Sequence, residues 1–125
     1  MKKMILVVEN DEELREAVGS TLAHAGFDAL GARSARQALS FLDQVAPDLI
    51  VLDFLLHEMD GVELTKSIRA RVGFRRTPVL MMTGAPEVAR AQLSKAGMDI
   101  PVLAKPLDAD VLTRMAEQLC AAGPA

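Results

Sequence analysis

The chain has no tryptophan, no tyrosine and only one cysteine. A single thiol, Cys120, cannot close an internal disulfide, and its place near the end of an apolar helical pattern marks it as a packing residue. No apolar run approaches the ~20 residues of a bilayer-spanning helix, so no membrane partner is expected. The start, Met1-Lys2-Lys3 and then Met4 to Val8, has the basic-then-apolar order of a signal peptide. However, that run stops at Glu9 and no small-residue cleavage site follows, which makes it a first strand and the expected location cytoplasmic. There is no basic excess either. Fourteen Lys and Arg stand against 17 Asp and Glu, both signs are dispersed, and no nucleic-acid binding by this domain is expected.

What the chain does have is apolar content. Half of its 125 residues are hydrophobic, enough for a core without staples, and the length suits one domain over residues 1–125. The last few residues read as a tail or the start of a linker.

Short β-rich runs alternate with longer helical patterns throughout. Met4-Ile5-Leu6-Val7-Val8 and Leu49-Ile50-Val51-Leu52 are continuously apolar, as strands buried on both faces must be. Phe27 to Gly31, Val79 to Met82 and Val102 to Ala104 supply three more strands, the first of them weaker and close to an edge. Between them, Leu14, Ala17, Val18, Thr21, Leu22 and Ala25 recur at helical spacing before Gly26. Ser34 with Gln37, and Asp60 with Glu63, read as helix-capping pairs. Leu64, Ile68 and Val72 are the expected inner face of the third helix. The fourth opens on Pro86, closes at Gly97 and carries a thin stripe, Val88, Ala91 and Ala96. Such βα alternation predicts a five-stranded parallel, doubly wound α/β sheet, flavodoxin-like (βα)5, in strand order 2-1-3-4-5. Ligands of such sheets bind beyond the carboxyl ends of the strands.

Those ends carry Glu9, Asn10 and Asp11 after the first strand, Asp53 after the third, Thr83-Gly84 after the fourth and Lys105-Pro106 after the fifth. Carboxylate and amide oxygens without His or Cys suit a hard cation such as Mg2+. A hydroxyl and an ammonium opposite suit the oxygens of a phosphoryl group. A carboxylate can attack phosphorus once the charge on both is neutralised.

The chain resembles the receiver-domain family of two-component response regulators over nearly its whole length. The resemblance rests on Val7-Val8-Glu9-Asn10-Asp11-Glu12, Pro47 to Asp53, Met59-Asp60-Gly61, Pro78 to Gly84 and Leu103-Ala104-Lys105-Pro106, in that order and at the family's intervals. It implies that Asp53 takes phosphate from a histidine kinase or phosphotransfer protein in a phosphorelay, and that the output reaches an effector the sequence does not name. It further implies a Mg2+ site built from Glu9, Asn10, Asp53 and the backbone carbonyl of Leu55. Thr83 and Lys105 would hold the phosphoryl group, and the switch would run through Thr83 and position 102. A receiver is not a dedicated enzyme, although limited self-catalysed phosphorylation and dephosphorylation are expected.

The chain also departs from the family. Asn10 replaces a carboxylate and could as well cap the first helix. His57 stands where proline is usual, and the strand-five aromatic falls at Val102. The stretch from Gly97 to Lys105 is one residue longer than the common pattern. These departures keep a second reading open, a degenerate receiver that binds partners without phosphate. A flavodoxin-like cofactor binder or small hydrolase is disfavoured, because no glycine-rich phosphate loop follows the first strand and no nucleophile triad is visible.

Overall fold

In the computed structural model, which describes residues 2–122, five strands alternate with five helices. The strands are β1 (Met4–Val8), β2 (Asp28–Ala32), β3 (Leu49–Asp53), β4 (Val79–Thr83) and β5 (Val102–Ala104). The helices are α1 (Glu12–His24), α2 (Ala35–Phe41), α3 (Gly61–Arg69), α4 (Pro86–Lys95) and α5 (Ala109–Ala122). The sheet runs β2-β1-β3-β4-β5 with every neighbouring pair parallel, as the alternation predicts.

Strand alternation divides the core in two. Leu6, Val8, Ile50, Leu52, Val79 and Met81 point to the face covered by α2, α3 and α4, where Ala38, Leu64, Ile68 and Leu93 meet them. Ile5, Val7, Leu49, Val51, Leu80 and Met82 point to the other face, against Val18 and Leu22 of α1 and Leu112, Ala116 and Cys120 of α5. Each large aliphatic side chain so buried contributes about 2 kcal/mol, which is why the central strands need no alternating pattern. Gly26 and Gly97 follow α1 and α4 with φ of +97° and +71°, the left-handed conformation that ends a helix and disfavours other residues.

Three expectations about packing are corrected. Val72 lies beyond the end of α3 and is 97% exposed. Ala89 and Leu93 are the buried residues of α4, whereas Val88 and Ala91 face outward. Asp11, not Asn10, caps α1, its carboxylate accepting from the N–H groups of Glu13 and Leu14. The third-helix cap is as expected, with Asp60 and Glu63 satisfying each other's backbone N–H. Gln37 instead turns back one residue further, to the N–H of Arg33 at 2.8 Å.

Candidate functional site

The carboxyl ends of β1, β3, β4 and β5 bring Glu9, Asp53, Thr83 and Lys105 together. Asp53 ends β3 and is 6% exposed, although most carboxylates stay in water. Its Oδ2 accepts from Lys105 Nζ at 2.8 Å, and its Oδ1 from the N–H of Leu55 at 3.3 Å. The same ammonium reaches Glu9 Oε1 at 3.2 Å, so one cation bridges two buried carboxylates. Burial, then the neighbouring Asp53, push the Glu9 carboxyl above its usual range. Burial alone would lower the Lys105 ammonium, but the hydrogen bond and charge of Asp53, helped by Glu9, leave it raised on balance. Lys105 precedes a cis peptide to Pro106, and its N–H donates to the carbonyl of Thr83 at 2.8 Å.

Gly61 explains why α3 can start so close to Asp53. A β-carbon at that position would lie 2.7 Å from the Asp53 carbonyl oxygen, and the Gly61 N–H donates to the Phe54 carbonyl at 2.7 Å. Thr83 is buried, and its hydroxyl oxygen accepts from the N–H of Ala85 at 2.9 Å, turning the chain into α4. Val102 pairs with Met81 in register and packs against the core beneath α4.

Asn10 is placed differently from its neighbour Glu9. Its Oδ1 accepts from the N–H of His57 at 2.9 Å, and its Nδ2 donates to the Arg33 carbonyl at 2.7 Å. The amide therefore ties the β3–α3 loop to the turn before α2. Glu58 strengthens that tie, its Oε1 accepting from the N–H of Ala35 at 2.5 Å. Sequence reasoning missed Glu58 and Arg15, which also bonds into this region. An acidic residue capping a helix distant in sequence leaves no local pattern to find.

The donor set suits Mg2+. Two carboxylates converge with no His or Cys beside them, and Leu55 lies at the rim with its side chain 70% exposed. Among the described residues no three of His, Cys, Asp and Glu form a metal-holding group. The protein would thus give one or two carboxylates and leave the remaining positions to carbonyls, water and phosphate, the usual pattern for this ion. Lys105 now occupies the electrostatic position between the carboxylates.

Residues 5–117 match the family described as the response regulator receiver domain. The chain belongs to that family. The receiver is 30% identical to the regulatory protein AtoC of Escherichia coli (strain K12) over 114 residues, covering 91% of this chain and 24% of AtoC. It is 36% identical over 87 residues to PhoP of Bacillus subtilis (strain 168), the alkaline phosphatase synthesis transcriptional regulatory protein, covering 70% of this chain and 35% of PhoP. The chain therefore corresponds to a minor part of each of these relatives. Among solved structures, the chemotaxis response regulator CheY4 of Vibrio cholerae superposes with a TM-score of 0.87 at 27% identity, covering 95% of this receiver and 99% of CheY4. A receiver domain is a signalling switch and not a dedicated enzyme.

Proposed function

We propose that Asp53 accepts a phosphoryl group from a histidine kinase or phosphotransfer protein and that the resulting acyl phosphate switches the conformation of the domain. The observation that carries this reading is the buried Asp53 carboxylate with the Lys105 ammonium at 2.8 Å. A carboxylate oxygen forms the new O–P bond as the P–N bond to the donor imidazole breaks. The imidazole leaves with that electron pair and takes up a proton. Lys105 turns from Asp53 toward the incoming oxygens, and the Thr83 hydroxyl exchanges its local turn contact for a hydrogen bond to the phosphoryl group. Glu9, Asp53 and the Leu55 carbonyl would hold Mg2+, with Asn10 able to join through the Oδ1 lone pair that the His57 N–H leaves open. Mg2+ supplies neutralisation of charge on carboxylate and phosphate. Hydrolysis of the acyl phosphate returns the free carboxylate.

Output runs through α4 and β5. Movement of Thr83 pulls Gly84 and Ala85, hence the start of α4, and the small Val102 side chain needs no aromatic rotamer change to follow. The location consistent with such a partner is the cytoplasm. Incubation with a small-molecule phosphodonor and Mg2+ should add one phosphate to the intact mass, and Asp53→Asn should add none. Equal labelling of Asp53→Asn would overturn the assignment. The Asn10 contact with His57 favours one alternative, a phosphate-independent binding module, for which no donor would label the parent protein.

A further inference from the structure

We propose that Arg15 is a positioning residue for the acidic side of the site, and that residue 31 is glycine so that the arginine can reach it. The inference rests on the reading of Glu9 and Asp53 as Mg2+ ligands. Arg15 occupies the first turns of α1, where the positive end of the helix dipole disfavours a cation. A contact that offsets this modest penalty is present. Helical side chains lean toward the N-terminus of their helix, so Arg15 reaches back over the turn that joins β1 to α1. There its Nη1 donates to the Glu9 carbonyl at 2.8 Å and lies 3.5 Å from the Asn10 carbonyl.

Peptide groups are planar, so fixing these two carbonyls fixes the planes on both sides of the Asn10 α-carbon. Those planes set the directions in which the Glu9 and Asn10 side chains leave the backbone. The Glu9 N–H is already held by the Ala32 carbonyl at 3.0 Å. Its main chain is thus gripped from β2 on one side and from α1 on the other, while its carboxylate faces Lys105.

Gly31 lies on β2 in register with Val7, and its backbone has no positive φ to explain a glycine. A β-carbon there would stand 3.2 Å from Arg15 Cδ and 3.3 Å from Cγ. The missing side chain is the track along which the arginine stem lies. Edge strands ordinarily favour β-branched residues, so glycine here is a concession to that neighbour.

The test separates positioning from charge by sign. Arg15 is a cation near a cation site, so if only its charge mattered, Arg15→Met would tighten Mg2+. Positioning predicts the reverse. The dissociation constant for Mg2+ should rise about 3–10-fold in Arg15→Met, less than the 10–100-fold seen when a direct partner of a metal ligand is lost. Arg15→Lys, which keeps the charge and a donating head but loses the planar fork, should fall between Arg15→Met and the parent. Gly31→Val leaves Arg15 present but displaces its stem, and should weaken Mg2+ in the same direction. With no tryptophan or tyrosine to report binding, the titration is followed by amide NMR shifts of residues 53–58 at a temperature where circular dichroism shows each variant folded. Unchanged or tighter Mg2+ binding in the folded variants overturns the proposal while leaving the metal site intact. If Arg15→Met does not fold, Gly31→Val decides. A parent protein that binds no Mg2+ would remove the metal reading itself, and this inference with it.

Discussion

Helices α3 and α4 both leave strand ends of the same site, yet they are attached to it in opposite ways. The start of α3 is held by the reciprocal Asp60–Glu63 cap, by the Gly61 N–H on the Phe54 carbonyl and by a glycine pressed against the Asp53 backbone. Five of its nine residues are buried. The start of α4 has Ala85 at the cap with no side-chain hydrogen bond, and only Ala89 and Leu93 are buried along its ten residues. Asp53 therefore stands on a fixed wall, whereas Thr83 opens onto a loosely held one. A switch needs both, because binding energy is dissipated if the binding residue itself yields, and nothing is transmitted if no neighbour can.

Gly61→Ala attacks the fixed wall most directly. Its β-carbon would meet backbone atoms of Asp53 and Phe54 at 2.7 and 3.0 Å, and backbone cannot move aside as a side chain can. A loss of about 3 kcal/mol in urea unfolding is expected, at the upper end for overpacking. A near-neutral result would mean that α3 is not rigidly seated.

Lys105 spans the two walls but is partly open to solvent, so Lys105→Met should cost less, about 1–2 kcal/mol at neutral pH, between the values for exposed and buried pairs, by leaving Glu9 and Asp53 facing each other. The sign of its pH dependence follows from Glu9. Burial and Asp53 already raise its carboxyl in the folded state, and loss of the ammonium raises it further. A carboxyl raised on folding leaves stability whole below its unfolded value and diminishes it as pH rises through the folded value. The deficit of Lys105→Met should therefore shrink as pH falls from neutral toward the ordinary carboxylate range. Urea midpoints compared at several pH values check this, and a deficit independent of pH would show that the lysine is not offsetting those charges.

The smallest effects come from exchanging the caps. Asp60→Ala should cost about 1 kcal/mol, and Ala85→Asp should gain about 0.5 kcal/mol by capping α4 and complementing its dipole. Ala85→Asp should also slow amide exchange across residues 86–95 and reduce the change there when a phosphate mimic binds. If exchange in α4 is already as slow as in α3, the contrast between the two helices fails.

Much of this arrangement is legible in the sequence, and the reasons differ by element. Strands buried on both faces show as unbroken apolar runs, so β1, β3 and β4 stand out, and a parallel sheet gathers the residues after its strands at one edge. Glu9, Asp53, Thr83 and Lys105 converge for that reason alone. The face of α4 is not legible, because Val88, Ala89, Ala91 and Leu93 offer little contrast and a stripe displaced by one residue looks equally good. Val72 is misplaced by pattern alone because the helical period continues past Arg69, where the helix stops. Arg15, Asn10 and Glu58 act on backbone atoms of other segments. A main-chain carbonyl or N–H has the same chemistry whatever its residue, so the sequence carries no mark of such a partner.

The bridge made by Lys105 also bears on when the site comes into being. Its two anionic partners lie 52 and 96 residues earlier in the chain. During synthesis Glu9 and Asp53 emerge well before the cation that reconciles them, and until β5 docks beside β4 two carboxylates meet without it. The strand that brings the lysine pairs with β4, Met81 opposite Val102, so the bridge waits on that one pairing. The neutralised arrangement of Glu9 and Asp53 is thereby reserved for chains whose last strand is in place.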